Sequence, residues 1–368
     1  MWLAAFVDQL GFGIVLPFLP LYADRLGATG LEVGLLLAVF SLMQMLVSAR
    51  WGRLSDRIGR RPVIIASAAG ACVGFVILGF ADSLAMLFVG RAVLGCFGVG
   101  MTTAQAWVAD VTSREERGRA MALLGAAGAA GFVFGPAIGA LGIITGGMRL
   151  PFFVSAVVCL GNAVLAATVL PARAPVPRAP VAPGDRAWRA IVPCLAVAFV
   201  LTYAFANIEA TFALFTQAKL GFDGADNGWL FVVLGVVAVA TQAIGMPWLS
   251  GRLDEPRRLA LGLVLLAAAA AVLPTADSLL ALLPPLAVMA VGYSIASPSL
   301  TAWISRRAPA DRQGELIGLS QSTGALARIA GPGIGGLLFD RVGHAAPFQI
   351  AAVVIGGAAA IAIGSRQR

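Results

Sequence analysis

The chain has 368 residues, of which 59% are hydrophobic and only 12% are charged. A typical soluble domain carries about 25% charged residues, so this composition excludes a water-soluble globular fold as well as intrinsic disorder. The net charge of +8 would suggest nucleic acid in a soluble protein, but nearly all of the basic residues are arginines at the ends of apolar runs, where they set membrane topology. The sequence therefore predicts an integral membrane protein that contacts lipid and no nucleic acid.

Twelve apolar runs are each long enough to cross a bilayer as a helix, which takes roughly 20 residues. They lie near residues 2–22, 31–50, 62–81, 84–108, 119–142, 150–170, 189–217, 226–249, 258–275, 278–303, 314–339 and 347–364. No alternating strand pattern persists, so we expect an all-α fold. Twenty of the 26 basic residues fall in even-numbered loops or the C-terminal tail and four in odd-numbered loops, which predicts that both termini are cytoplasmic.

The first span contains an acidic residue, Asp8, followed by Gln9. A carboxyl group within an apolar helix is energetically costly, so it is a candidate functional group by default. Low dielectric raises the affinity of a carboxylate for protons, which suits Asp8 to binding and releasing one. Gln9 is a candidate for the wall of a substrate cavity.

The connection between spans two and three reads GRLSDRIGRRP from Gly52 to Pro62. Its glycines allow a tight turn between helix ends, and Asp56, which lies among arginines, can pair locally or accept hydrogen bonds from a helix N-terminus. A loop that only set topology would need neither the acid nor the glycines.

Span four contains Arg91, and span five contains a run of glycines. Arg91 either faces the bundle interior with a partner or extends to the outer interface. The glycines recur at three- and four-residue steps, so they share one helix face on which a neighbouring backbone can approach closely. The residues concerned are Gly128, Gly131, Gly135 and Gly139, together with Pro136.

The Pro-rich segment 171–188 predicts a linker between an N-terminal six-helix bundle, 1–170, and a C-terminal one, 189–368. The glycine pattern of span five recurs in span eleven at a constant offset of 196 residues, with Gly135 and Pro136 returning as Gly331 and Pro332. Such repetition indicates two parallel halves related by an axis along the membrane normal, with substrate near the midplane between them.

The second half contributes two further intramembrane charges, Glu209 and Arg328. Glu209 is either a proton carrier on a cavity wall or an acid in water at the outer end of its helix. Arginine does not release a proton, so Arg328 can only bias its neighbours or hold an anion. Polar residues in these spans either line a cavity or hold helices together; the cavity candidates are Tyr203, Asn207, Gln242 and Gln321.

Three of these patterns carry a family resemblance. Segment 52–62 resembles motif A of the major facilitator superfamily, Gly-x-Leu-Ala-Asp-Arg-x-Gly-Arg-Arg/Lys. Arg91 in GRAVLGCFGVG resembles motif B, and the span-five glycines resemble motif C, which that family associates with antiporters. The resemblance extends to three further segments, VDQLGFGIVLPFLP, WVADVTSREERGRAM and RQGELIGL. Over nearly its whole length, the chain is similar to the twelve-span drug:proton antiporters of the tetracycline-efflux-like branch.

The resemblance implies roles for specific residues. Motif A latches the cytoplasmic side of the two halves, with residues Gly52, Asp56, Arg57, Gly59, Arg60 and Arg61 completed by Asp110 and Arg117. Asp8 aligns with the span-one acid of the tetracycline exporters. Those exporters also have acids in spans three and nine, where this chain has Gly74 and an apolar run from Leu259, which counts against tetracycline and leaves Asp8 and Glu209 as the proton carriers.

We therefore expect a monomeric transporter in the bacterial inner membrane that exports lipophilic drug-like molecules in exchange for protons. One alternative is a transporter that exports a sugar or an organic anion, with Arg91 and Arg328 holding the anion. The other alternative is a membrane sensor that transports nothing. An enzyme is not expected, because no nucleophile–base pair or phosphate loop lies outside the spans. One histidine and four scattered cysteines predict neither metal nor cofactor.

Overall fold

The computed structural model describes residues 1–112, 114–171, 188–307 and 313–364, but not some side chains within these ranges, including those of Arg117 and Gln321. Every regular element in these ranges is helical. In chain order the α-helices are α1 (Trp2–Val15), α2 (Leu19–Arg25), α3 (Gly30–Ile58), α4 (Arg60–Gly79), α5 (Leu84–Phe97), α6 (Gly100–Val111), α7 (Arg114–Gly146), α8 (Leu150–Val169), α9 (Trp188–Leu220), α10 (Gly224–Ala240), α11 (Met246–Ser250), α12 (Glu255–Val272), α13 (Leu279–Arg307), α14 (Gln313–Arg341) and α15 (Ala346–Gly364).

Each of the twelve predicted spans coincides with helix. Within the described ranges, eleven helical segments are long and apolar enough to cross a membrane. The twelfth predicted span is α14, which has 29 residues and whose glycines, serines and Arg328 lower its mean hydropathy. Large apolar side chains such as Leu280 and Val353, 81% and 75% exposed, lie on helix surfaces, as expected where lipid is the solvent. The all-α membrane fold is confirmed.

Three spans in the described part of the chain are interrupted within their length. Span one is interrupted between α1 and α2 at Pro17, whose ring removes a backbone donor. Span four is interrupted between α5 and α6 at Gly98 and Val99. Span eight passes through a one-turn π-helix, Thr241–Gly245, between α10 and α11. Interruptions of this kind within spans often mark functional sites, because they free backbone groups and redirect side chains.

The chain forms two compact units. The first comprises Met1–Ala28, Val39–Pro180 and Asp223–Val232. In it, α1 packs along α7 and α8, and α4 packs against α5 and α8. The glycine face of α7 makes the close approach to α1: a Cβ on Gly135 would lie 2.6 Å from the backbone nitrogen of Ile14.

The second unit comprises Thr29–Ala38, Val181–Phe222 and Val233–Arg368. In it, α9 packs along α14 and α15, and α12 packs against α13 and α15. Here the repeated glycines of α14 approach α9: a Cβ on Gly331 would lie 2.7 Å from the carbonyl oxygen of Tyr203. The same residue type at the same repeat position thus makes the same helix contact in each unit. The sequence boundaries at residues 170 and 189 stay a prediction.

Candidate functional site

Asp8 lies against the interruption of span four. Its carboxylate approaches the first residue of α6 so closely that a Cβ on Gly100 would lie 2.8 Å from Asp8 Oδ1. The first amides of an α-helix have no partner within their own helix, and the helix dipole gives this end partial positive charge. The interruption therefore places an acid from α1 beside the positive end of a half-helix from span four.

Side chains from α3 and α4 satisfy the carbonyl groups that the same interruption frees at the end of α5. Trp51 Nε1 donates to the carbonyl of Cys96 at 2.7 Å. Ser67 Oγ donates to the carbonyl of Phe97, and Gln44 Nε2 donates to that of Gly98. Because a buried backbone acceptor without a partner is costly in an apolar medium, these three bonds stabilise the break in span four as a fixed feature.

Arg91 lies on α5, before the interruption, and is buried, with 4% of its surface exposed. Its guanidinium lies 4.7 Å from the centre of the Phe40 ring and 6.0 Å from that of Phe12. The two rings are themselves 5.3 Å apart. The cation thus faces the interior of the first unit, where aromatic faces stabilise it.

Gln9 and the glycines of α7 meet on the other side of α1. A Cβ on Gly128 would lie 3.3 Å from Gln9 Cγ, and one on Gly131 would collide with the carbonyl oxygen of Phe6. Gly139 likewise meets Ile14 and Phe18, and Pro136 continues α7 without ending it. In this structure the motif C glycines serve close helix packing, and their association with exchange direction stays a prediction.

In the second unit, Glu209 on α9, Tyr293 on α13 and Arg328 on α14 lie within electrostatic range of one another. The Tyr293 ring stacks on Phe205, with centroids 4.4 Å apart, and its hydroxyl is hydrogen-bonded to the side chain of Ser297. We call Glu209, Tyr293 and Arg328, with Phe205, the α9–α13–α14 cluster. It combines one acid, one permanent cation and an aromatic face.

The remaining cavity candidates occupy different environments. Tyr203 is buried and stacks on Phe199. Asn207 is fully buried, and its Nδ2 donates to the carbonyl oxygen of Pro347 at 2.9 Å, which is a helix-packing contact between α9 and α15. Gln242 is exposed on the π-helix, and the side chain of Gln321 lies outside the described residues.

The motif A segment forms a charged cluster centred on Arg60. Its Nη2 lies 2.7 Å from Asp56 Oδ1, and its Nε donates to Asp110 Oδ2 at 2.9 Å. Arg60 and Asp110 are 10% and 12% exposed, whereas Asp56 is 46% exposed. The buried Arg60–Asp110 pair is therefore the stronger of the two contacts, because solvent screens the exposed one.

Only one of the two motif A glycines makes the turn. Gly59 has φ of 94°, a conformation that favours glycine, and it separates α3 from α4. Gly52 lies inside α3, so the expectation that both glycines form the turn is wrong for Gly52. The remaining motif A arginines lie in different environments. Arg57 is exposed, and Arg61 donates to the carbonyl of Ala167. The side chain of Arg117 lies outside the described residues.

Among the residues that face these sites and were not singled out from sequence are Gly100, Phe40 and Tyr293. Only Gly100 had a local signal, the closely spaced glycines of GCFGVG. Phe40 and Tyr293 come from helices distant in sequence, so only the fold brings them to Arg91 and Glu209. Among the described residues, no group of three or more His, Cys, Asp or Glu side chains is placed to hold a metal ion.

Comparison with known proteins decides the family. The model of the Major Facilitator Superfamily matches residues 1–332. The chain belongs to the major facilitator superfamily. It is a multi-pass membrane transporter and not an enzyme, as the sequence predicted.

Its relatives within this superfamily include resistance proteins of bacteria. The chain is 30% identical to Multidrug resistance protein 2 of Bacillus subtilis (strain 168), over 95% of this chain and 90% of that protein. It is 32% identical to the class D Tetracycline resistance protein of Salmonella ordonez, over 92% of this chain and 89% of that protein.

Solved structures of the superfamily share the fold. The peptide transporter POT, solved as a mutant in complex with sulfate, aligns with a TM-score of 0.83 at 13% identity, covering 100% of this chain and 93% of that one. The human organic anion transporter MFSD10 aligns with a TM-score of 0.74 at 21% identity, covering 98% and 97%. At these identities the likeness concerns the fold alone.

Proposed function

We propose that this transporter exports lipophilic, drug-like small molecules and exchanges them for protons. The observation that carries the proposal is the position of Asp8, whose carboxylate lies beside the first residue of the half-helix α6. Relatives named as multidrug and tetracycline resistance proteins support export of drug-like molecules.

Asp8 serves as a proton carrier through its two charge states. When ionised, the carboxylate is attracted to the positive end of α6, which holds α1 and span four together at the interruption. When a proton binds, this attraction is lost, and the break in span four is free to change its geometry. Proton binding at Asp8 is thereby coupled to movement of a helix, which is what an exchange mechanism requires.

Glu209 is the second proton carrier, in the α9–α13–α14 cluster. Arg328 lies within electrostatic range of Glu209, and a cationic substrate competes with it for the Glu209 carboxylate. The stacked Phe205 and Tyr293 rings offer an apolar face of the kind that binds lipophilic aromatic molecules. This environment favours lipophilic, neutral or weakly cationic compounds over sugars.

The proposal places the protein in the bacterial inner membrane as a monomer with both termini in the cytoplasm. The asymmetry of basic residues between even- and odd-numbered loops supports this orientation. In it, the Arg60–Asp56–Asp110 cluster lies on the cytoplasmic side, where it stabilises the arrangement of α3, α4 and α6 as a latch.

The decisive experiment uses purified protein in liposomes with an imposed pH gradient and a pH-sensitive dye inside. We expect a panel of lipophilic cationic dyes and antibiotics to accelerate proton movement, and their own transport to stop when the gradient is collapsed. Substrate movement that is unchanged without the gradient would refute proton exchange. Proton movement stimulated only by organic anions or sugars would favour the metabolite alternative, and stimulation by no compound would favour a sensor.

A further inference from the structure

The N-terminus of α3 is capped in two ways, one local and one distant. Locally, Thr29 and Glu32 form a capping box: the amide of Glu32 donates to Thr29 Oγ1 at 3.2 Å, and the amide of Thr29 donates to Glu32 Oε2 at 2.8 Å. A capping box satisfies the amides of its own two residues and leaves the two between them, Gly30 and Leu31, without a partner inside the helix.

Asp340, at the other end of the chain, accepts those two remaining bonds. The amide of Gly30 donates to Asp340 Oδ1 at 2.9 Å, and the amide of Leu31 donates to Asp340 Oδ2 at 2.8 Å. Each carboxylate oxygen takes one amide, and the negative charge faces the positive end of a 29-residue helix. Asp340 lies in the last turn of α14, so the contact joins a helix of the first sequence half to a helix of the second.

Close backbone packing accompanies these bonds. A Cβ on Gly34 would overlap the carbonyl of Pro332, and a Cβ on Gly336 would overlap that of Gly30. With no side chain at these positions, α3 and α14 approach until the carboxylate reaches the amides. We call Gly30, Leu31, Gly34, Gly336 and Asp340 the Asp340 clasp.

The corresponding helix of the second half, α10, has the same local capping box, but apolar side chains lie where Asp340 lies at α3. The sequence TGLEVG at the start of α3 recurs as DGADNG at the start of α10, where Asp223 and Asp226 form the corresponding capping box at 3.0 and 3.1 Å. There, a Cβ on Gly224 would meet the apolar side chains of Ile143 and Met148. The charged clasp therefore forms at the start of α3, whereas the start of α10 packs through apolar atoms.

The geometry points to Asp340 as a gating residue, whose carboxylate holds the odd-loop ends of α3 and α14 together in one state of the transport cycle and releases them in the other. This inference rests on the proposed function, exchange transport with both termini in the cytoplasm, and adds that the two six-helix halves move relative to each other while the odd-numbered loops face outward. The two donors are backbone amides, which do not titrate, so the charge within the clasp is that of Asp340.

The test measures the distance between nitroxide labels placed just outside the two helix ends, at Ala28→Cys and Val342→Cys. The four native cysteines are replaced beforehand, and the purified protein is measured by double electron–electron resonance without substrate or pH gradient. Asp340→Asn removes the charge, and we expect the ratio of short to long distances to fall about tenfold. Asp340→Glu keeps the charge and is expected to retain more of the short-distance population than Asp340→Asn.

Two further variants keep the result interpretable. Gly34→Ala separates the helices without altering any charge and is expected to shift the distances in the same direction. Asp277→Asn removes an exposed acid from another connection of the same unit and is expected to leave them unchanged. An unshifted distribution in Asp340→Asn, or an equal shift in Asp277→Asn, would overturn the inference. Because no transport is measured, a shift in a protein that moves no drug would sustain the clasp and refute only the proposed function.

Discussion

Asp8 and Arg91 show how a membrane interior accommodates charge at the level of single residues. Asp8 has the start of a helix beside it, and Arg91 has two aromatic faces. Both arrangements supply partial charges of the required sign. An acid held in this way keeps its capacity to bind a proton, because a helix end carries only partial charge.

Replacing Asp8 by Asn should abolish proton-driven export while leaving expression and folding intact. Asparagine has nearly the same size but carries no charge and binds no proton. We expect the initial rate of drug efflux driven by a pH gradient to fall to the background rate of protein-free liposomes, because no group at this position can then carry a proton. Asp82→Asn, which changes an exposed acid of the same unit, is the matched control. Undiminished transport in Asp8→Asn would remove Asp8 from the mechanism.

Gly100→Ala tests the same site without removing any chemical group. The added methyl group would lie 2.8 Å from Asp8 Oδ1, so the carboxylate must move away from α6. We expect a several-fold lower rate of proton-coupled efflux at unchanged expression. Gly125→Ala adds a methyl group where no atom lies within 4 Å and should transport as the parent does. Equal rates for the two alanine variants would show that the approach of Asp8 to α6 has no functional role.

At the scale of helices, the motif A cluster ties α4 to α6 through Arg60 and Asp110 and to the end of α3 through Asp56. The two acids differ in burial, and their contributions should differ accordingly. Removing one partner of a buried pair costs about 3–5 kcal/mol, whereas an exposed pair contributes about 0–1 kcal/mol.

We expect Asp110→Asn to lower the maximal transport rate more than Asp56→Asn does, with the apparent substrate affinity changed less than the rate in both variants. Initial rates measured against substrate concentration separate the two parameters. Asp254→Asn, at the N-terminus of α12, keeps an acceptor for the first amides of that helix and serves as control. A loss confined to affinity would contradict a latch role for the cluster.

Some of these structural features could be predicted from local sequence, and others depend on tertiary packing. The spans and the glycine faces of α7 and α14 were predictable, because hydropathy and three- to four-residue spacing are local properties. The interruption of span four was not, since GCFGVG is also compatible with a continuous helix until Trp51, Ser67 and Gln44 donate hydrogen bonds to its freed carbonyls. The proximity of Tyr293 to Glu209, and of Asp340 to α3, depends on packing between distant segments.

At the scale of the whole molecule, the charge asymmetry of the loops predicts which surface is accessible from which side. Val342, 70% exposed, follows α14 in an odd-numbered connection, and Arg57 is exposed in an even-numbered one. In intact cells, a membrane-impermeant maleimide should label Val342→Cys directly and Arg57→Cys only after permeabilisation. Labelling of Arg57→Cys in intact cells, with Val342→Cys protected, would reverse the orientation.

The π-helix at Thr241–Gly245 also has a consequence for the internal repeat. Gly52-Arg53-Leu54 at the end of span two recurs as Gly251-Arg252-Leu253 at the end of span eight. Thr29 and Gly52 are 23 residues apart, whereas their counterparts Asp223 and Gly251 are 28 apart. Five extra residues in a regular α-helix would rotate everything beyond them by about 140°. A π-turn absorbs one residue without advancing the helix, and the remaining four rotate it by only about 40°. The wide turn thus acts as a phase correction: it lets span eight be longer than span two while the helical residues beyond it are rotated by only about 40°.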